Sequence, residues 1–297
     1  MGAKLSTYLL ILSSRKRPDH NAEMSSAAQE VTVTYKDRVA IITLNRPKKL
    51  NALSSDHYWE LGQKMREVAQ RDDVFITVLT GTGRFFSAGA DVQKTRPSSD
   101  GADARREILR GFVANNLDLT NTFAKHPKIL VVALNGPAVG LSAALTAFGD
   151  FIYATPHTFL LTPFTSLGLV AEGGASSAFV ERLGISKANE ALIMSKRIPI
   201  EDLVSTGYVN KVFTAAGGKK DASGFLKLVL EEVEERLGTH INQDSMLKIK
   251  DLIRRPGREV LDRQNVLEVF MGMERFIAGI PQQEFMKIAT GQKKHKL

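Results

Sequence analysis

The chain is predicted to fold as an α/β protein around a mostly parallel sheet. Three observations carry this expectation. Residues 74–79 and 129–134 are short, nearly continuous apolar runs, which is how strands covered on both faces read. Helix-patterned stretches separate these runs, as βαβ connections require. Each run ends in a turn sequence, Thr80-Gly81-Thr82-Gly83 and Asn135-Gly136-Pro137.

The elements follow in order. Residues 31–35 alternate apolar residues with Thr, Lys36-Asp37-Arg38 reads as a turn, and the apolar run 39–44 follows. The pair is expected to form a β-hairpin. Asn45-Arg46-Pro47 breaks the second strand, and a helix is expected over 55–70 with Ser54 or Ser55 as its cap. After the strand at 74–79, a helix is expected over 104–124, then the strand at 129–134. Another helix begins near Leu141, and a short strand is expected at 150–154. From Glu172 onward the pattern is mainly helical, over 172–183, 186–195, 222–237 and 258–277, with one strand at 208–213. Gly217-Gly218-Lys219-Lys220 marks a boundary, beyond which the helices suit a small lobe or an oligomer interface.

Composition narrows the function classes. The 297 residues carry a formal net charge of +8 and no cysteine. Disulfides, thiolate catalysis and Cys-ligated zinc are therefore excluded. No apolar run approaches the roughly 20 residues that span a bilayer. A basic chain suits an anionic partner. Much of the excess sits near the ends, in Lys4, Arg15, Lys16, Arg17, Lys293, Lys294 and Lys296. No interleaving of Arg with aromatics suggests a nucleic-acid surface, and none is expected. The six histidines show no metal-ligand spacing, so no metal is expected.

Three segments concentrate the chemistry. They are Arg84-Phe85-Phe86-Ser87-Ala88-Gly89-Ala90-Asp91-Val92, then Asn135-Gly136-Pro137-Ala138-Val139-Gly140-Leu141-Ser142-Ala143-Ala144, then Leu167-Gly168-Leu169-Val170-Ala171-Glu172-Gly173-Gly174. The first two each follow a buried strand and open toward a helix, where ligands of α/β sheets bind. Small residues let a ligand approach the backbone, and free N–H groups can hold negative charge. Alone, each segment also reads as an ordinary tight turn or helix start. Their order and spacing together raise the functional reading.

That ordered set resembles the crotonase (enoyl-CoA hydratase/isomerase) family over about residues 29–215. Asn45-Arg46-Pro47 with Leu50-Asn51-Ala52-Leu53 is similar to the family's early signature. Residues 86–91 and 135–140 are similar to its two oxyanion segments, and Leu183-Gly184, Ala188 and Gly207-Tyr208-Val209 to later landmarks. The resemblance implies a crotonase-like spiral of ββα repeats. A C-terminal helical region at 216–290 would be used in trimer or hexamer assembly. It implies a fatty acyl-CoA substrate, with coenzyme A part of the substrate and no separate cofactor. It implies an oxyanion hole of the Ala90 and Leu141 N–H groups, with Ala88, Gly89, Ala90, Asp91, Val92, Leu141, Asn116 and Phe164 lining the substrate.

The carboxylates discriminate within the family. Hydratases use two glutamates, at positions that here hold Ala144 and Phe164, so hydration is not expected. Dienoyl-CoA isomerases also use paired acids, one at the position of Phe164. Glu172 remains, in a Leu-Gly-Leu-x-x-Glu-Gly-Gly context that resembles the single-acid Δ3,Δ2-enoyl-CoA isomerases. One group suffices there as base and then acid. Leu161, Phe164, Leu167 and Leu169 would supply a dry wall. Leu141 and Asn116 resemble positions of the fungal peroxisomal isomerases. Alternatives left open are dienoyl-CoA isomerisation, hydratase-like chemistry and a non-catalytic CoA-binding scaffold. The final His295-Lys296-Leu297 resembles a peroxisomal address read by the import receptor, on a flexible tail at 291–297. Residues 1–28 are expected to be a flexible extension, whose Lys, Arg and Ser content keeps a mitochondrial presequence as the alternative.

Overall fold

A computed structural model describes residues 30–91 and 103–293. The N-terminal extension, Val92 and His295-Lys296-Leu297 lie outside the described residues.

β1 (Val31–Lys36) and β2 (Val39–Leu44) form the expected antiparallel hairpin, turning at Asp37, whose φ is 50°. α1 (Ser55–Ala69) starts at Ser54 through a reciprocal cap. The His57 N–H reaches Ser54 Oγ at 3.4 Å, and the Ser54 N–H donates to His57 Nδ1 at 3.0 Å. β3 (Ile76–Gly81) ends later than the apolar run, because Thr80 and Gly81 continue its parallel ladder with β2. The helix expected over 104–124 is interrupted. α2 (Ala104–Ile108) and α3 (Ala114–Ala124) are joined by a π-helical turn, Leu109–Val113. β4 (Ile129–Leu134), β5 (Ala138–Val139), α4 (Gly140–Thr146), β6 (Phe151–Ala154) and β7 (Phe159–Leu161) follow.

α5 (Ala175–Leu192) corrects one expectation. It begins after Glu172, because Gly173 and Gly174 have φ of 72° and 74°, outside the right-handed helical region. The break expected between the helices at 172–183 and 186–195 is present within this run, at Gly184, whose φ of 73° and ψ of 158° are non-helical. β8 (Ile198–Pro199) and α6 (Ile200–Ser205) come next. The strand expected at 208–213 shrinks to β9 (Lys211–Val212), since Tyr208 turns into the core and its hydroxyl meets Thr146 Oγ1 at 2.8 Å. α7 (Ala222–Leu237), α8 (Gln243–Arg254), α9 (Arg258–Ile277) and α10 (Ile280–Ala289) complete the chain.

The main sheet runs β1-β2-β3-β4-β6-β9, parallel from β2 onward, and a second, small sheet runs β5-β7-β8. Period-two alternation divides β4 between two cores. Leu130, Val132 and Leu134 join α1, α4 and α5 on one face. Ile129, Val131 and Ala133 meet Phe225, Val229, Val233 and Leu237 of α7 on the other. The sheet's second cover therefore comes from beyond Gly217. Phe225 is fully buried there, so Phe225→Ala is expected to cost about 3–5 kcal/mol, read by chemical denaturation.

α8 is tied down by charge. Asp150 accepts the Leu130 N–H at 2.8 Å and pairs with Lys250 at 2.7 Å and Arg254 at 3.0 Å. The apolar side of α8 faces outward, with Leu252 64% and Ile253 71% exposed. None of the described helices is long and apolar enough to cross a membrane.

Candidate active site

The first segment is stitched between two others by backbone bonds. Leu53 N donates to Gly89 O at 2.8 Å, Asp91 N to Leu53 O at 2.9 Å, and Ala88 N to Leu50 O at 2.9 Å. On its other side, Val139 N donates to Ser87 O at 2.9 Å. Two buried asparagines lace the approach to it. Asn51 Nδ2 reaches the Thr82 and Phe85 carbonyls, each at 2.8 Å. Asn135 Nδ2 reaches the Gly83 carbonyl at 2.9 Å, and its Oδ1 accepts the Gly81 N–H at 3.0 Å. Both motif asparagines thus hold the loop rather than face a ligand.

This stitching decides where Ala90 points. It sits between two ladder bonds to Leu53, so its own N–H turns away from that neighbour. Among the described residues nothing accepts from it. Leu141 is the second residue of α4, and an N–H in a helix's first turn has no intrahelical acceptor. The residues before these two, Gly89 and Gly140, have φ of 86° and 60°. They meet backbone to backbone: a Cβ at Gly89 would stand 2.9 Å from the Val139 carbonyl oxygen. The two N–H groups therefore flank one close approach.

The third segment closes on the same place. A Cβ at Gly173 would stand 2.7 Å from Leu141 Cδ1 and 3.1 Å from Ala144 Cβ. Glu172, the preceding residue, is half-buried, and Asn116 Nδ2 donates to its Oε2 at 3.3 Å. Asn116 itself is 7% exposed and comes from α3. The structure thus brings Ala88, Gly89, Ala90, Leu141, Asn116 and Glu172 to one locality. Phe164 is buried in the same apolar cluster as Leu141 and Ala144. The Asp91 carboxylate turns aside to Arg46 at 3.3 Å, and Arg46 also pairs with the exposed Glu30 at 3.1 Å.

Reading the sequence alone missed a polar chain beneath this site. The Tyr58 hydroxyl meets Ser142 Oγ at 2.9 Å, which meets Ser87 Oγ at 2.9 Å. Ser87 Oγ in turn takes the Gly89 N–H at 3.1 Å and bonds the Asn51 carbonyl at 2.8 Å. Burial, and then the Glu172 charge, push the Tyr58 hydroxyl far above its ordinary range, so it stays protonated. Nothing in the helical pattern around Tyr58 distinguishes it from a core residue. A cavity of about 430 Å³ lined by Arg84, Phe85, His157 and Arg197 includes none of Ala90, Leu141 or Glu172. Among the described residues no group of His, Cys, Asp or Glu is placed to hold a metal ion.

The model of a family described as enoyl-CoA hydratase/isomerase matches residues 34–237. The chain belongs to this family. A Pyricularia oryzae protein named Delta(3,5)-Delta(2,4)-dienoyl-CoA isomerase is 58% identical over 275 residues, covering 90% of this chain and 98% of the relative. A Saccharomyces cerevisiae 3,2-trans-enoyl-CoA isomerase is 33% identical, covering 86% and 93%. A mouse protein named Enoyl-CoA delta isomerase 3, peroxisomal, is 30% identical, covering 89% and 78%. The fold is that of a Pseudoalteromonas atlantica enoyl-CoA hydratase/isomerase crystal structure, with a TM-score of 0.77 at 22% identity, covering 91% of this chain and all of that one. The spiral α/β architecture and the helical C-terminal region expected from the sequence are those of this family.

Proposed function

We propose that the protein is a Δ3,Δ2-enoyl-CoA isomerase acting in the β-oxidation of unsaturated fatty acids. One observation carries the reading: among the described residues Glu172 is the acid at this place, bonded to Asn116 and followed by Gly173, which meets Leu141 and Ala144. The carboxylate of Glu172 takes a proton from C2 of a 3-enoyl-CoA. The C2–H electron pair delocalises onto the thioester oxygen, which the Ala90 and Leu141 N–H groups stabilise. Each such donor is worth about 3–4 kcal/mol in comparable sites. The carboxylic acid so formed then protonates C4, the double bond moves to C2–C3, and Glu172 is again a carboxylate. Asn116, donating to Glu172, would hold it between the two carbons. No cofactor enters this balance.

A second reading has its own support, the 58% identity to a protein named for dienoyl-CoA isomerisation. There the proton must travel from C2 to C6, farther than from C2 to C4, and a second acid would ease that transfer. The test is side-by-side turnover of 3-hexenoyl-CoA and 3,5-octadienoyl-CoA, followed by ultraviolet absorbance of the conjugated products. Faster 3-hexenoyl-CoA turnover is expected. Turnover of the diene alone would replace the first reading with the second, and turnover of neither would overturn both.

The exposed apolar sides of α8 and α9, including Leu252, Ile253 and Met271, support an oligomer, to be read by light scattering as a trimer or hexamer mass. Peroxisomal location, through His295-Lys296-Leu297 and the import receptor, is proposed on that tripeptide and on the peroxisomal mouse relative.

A further inference from the structure

The turn that carries Glu172 is gripped by a carboxylate from a distant helix. Glu268, on α9, is 5% exposed. Its Oε2 accepts the Gly174 N–H at 2.7 Å and its Oε1 accepts the Ser176 N–H at 2.8 Å. Both oxygens are spent on the start of α5, and among the described residues no Lys or Arg pairs with them. The cap position of α5 is Gly174, which has no side chain to cap with. The missing cap is supplied across the fold instead.

A buried carboxylate without a cation is costly, and its two bonds to the Gly174 and Ser176 amides offset that cost. Burial pushes the Glu268 carboxyl above its ordinary range, against the pull of the Ser176 and Gly174 bonds. The same side of α9 also carries Gly272, one helical turn on. A Cβ there would stand 2.9 Å from the Phe112 ring, in the π-helical turn that leads into α3 and Asn116. One helix surface therefore braces both partners of the Asn116–Glu172 contact. The buried residues of the facing helices include Asn265 and Glu268 on α9 and Asn116 and Thr120 on α3, which is not how a purely apolar seam is built.

We propose that Glu268 is a positioning residue for the isomerisation. By holding the Gly174 and Ser176 amides, it sets the Glu172 carboxylate against Asn116 and the two oxyanion donors. This rests on the isomerase reading above, with Glu172 as the base.

The test compares Glu268→Gln and Glu268→Met with the parent, with Glu259→Gln on the exposed side of α9 as control. Both Glu268 variants are expected to stay folded with a lowered Tm, Glu268→Gln less so because its amide oxygen still accepts one N–H, and to leave KM nearly unchanged. Their kcat should fall roughly ten- to hundredfold, the scale of a misplaced reacting group. Amide exchange at Gly174 and Ser176 should quicken in both. Unchanged kcat in folded variants, or loss of folding in both, would overturn the proposal and leave Glu268 a structural residue. If the parent turns over neither thioester, the isomerase reading fails separately. Amide exchange then still reads the grip, and protection unaltered by Glu268→Gln would sink it.

Discussion

Glu172→Gln is expected to lower kcat on 3-enoyl-CoA by a hundredfold or more, with folding and CoA affinity retained. The size follows from losing the only proposed carrier of the migrating proton, a role worth about 10² to 10⁴ in rate. The replacement is nearly isosteric, and Glu172 is only half-buried, so no large stability cost accompanies it. The amide oxygen of Gln can still accept from Asn116 Nδ2, which preserves the geometry while removing the base. The measurement is initial rate against substrate concentration, paired with a thermal melt and CoA binding by calorimetry. A variant as active as the parent would place the base elsewhere.

Gly89→Ala is expected to be the next most damaging change, with kcat falling about 10²- to 10³-fold, the effect of one misaligned oxyanion donor. Two features work together. The backbone φ of 86° is strained for any residue with a Cβ. The added carbon would also stand 2.9 Å from the Val139 carbonyl oxygen, which belongs to the backbone and cannot rotate aside. Relief requires the two segments to part, which separates the Ala90 and Leu141 N–H groups. Gly257→Ala is the control, because it has an ordinary φ and nothing within 4 Å of the added carbon. A Gly89→Ala enzyme with kcat near that of the parent would show that the thioester oxygen is not held between these segments.

Elements with a strong local signal were legible before the structure. The strand Ile129–Leu134 and the helices Ala222–Leu237 and Arg258–Ile277 lie where their patterns placed them. The hairpin and the Ser54 cap were equally readable, since adjacent residues form them. The small sheet was not. Ala138–Val139, Phe159–Leu161 and Ile198–Pro199 are too short to carry a period, and exist as strands only because the spiral lays them side by side. α8 carries a helical spacing in Met246, Ile249, Leu252 and Ile253, but that its apolar side faces outward is decided by packing. The π-helical turn before α3 also leaves no mark in the sequence pattern.

For the site, the residue types and their order named the family, and that resemblance implied the roles proposed for Glu172 and for the amides after Gly89 and Gly140. Backbone conformation at a glycine and the absence of a carboxylate at Ala144 and Phe164 are local properties, written in the residue itself. Which groups touch is not local. Tyr58 and Ser142 are separated by 84 residues and Gly174 and Glu268 by 94, and no spacing rule links them. Only the packing of α1 on α4, and of α9 on α5, brought those pairs within hydrogen-bond distance. The sequence by itself determined what chemistry is available; the tertiary structure decided what holds it in place, because distant side chains become neighbours only through a shared core.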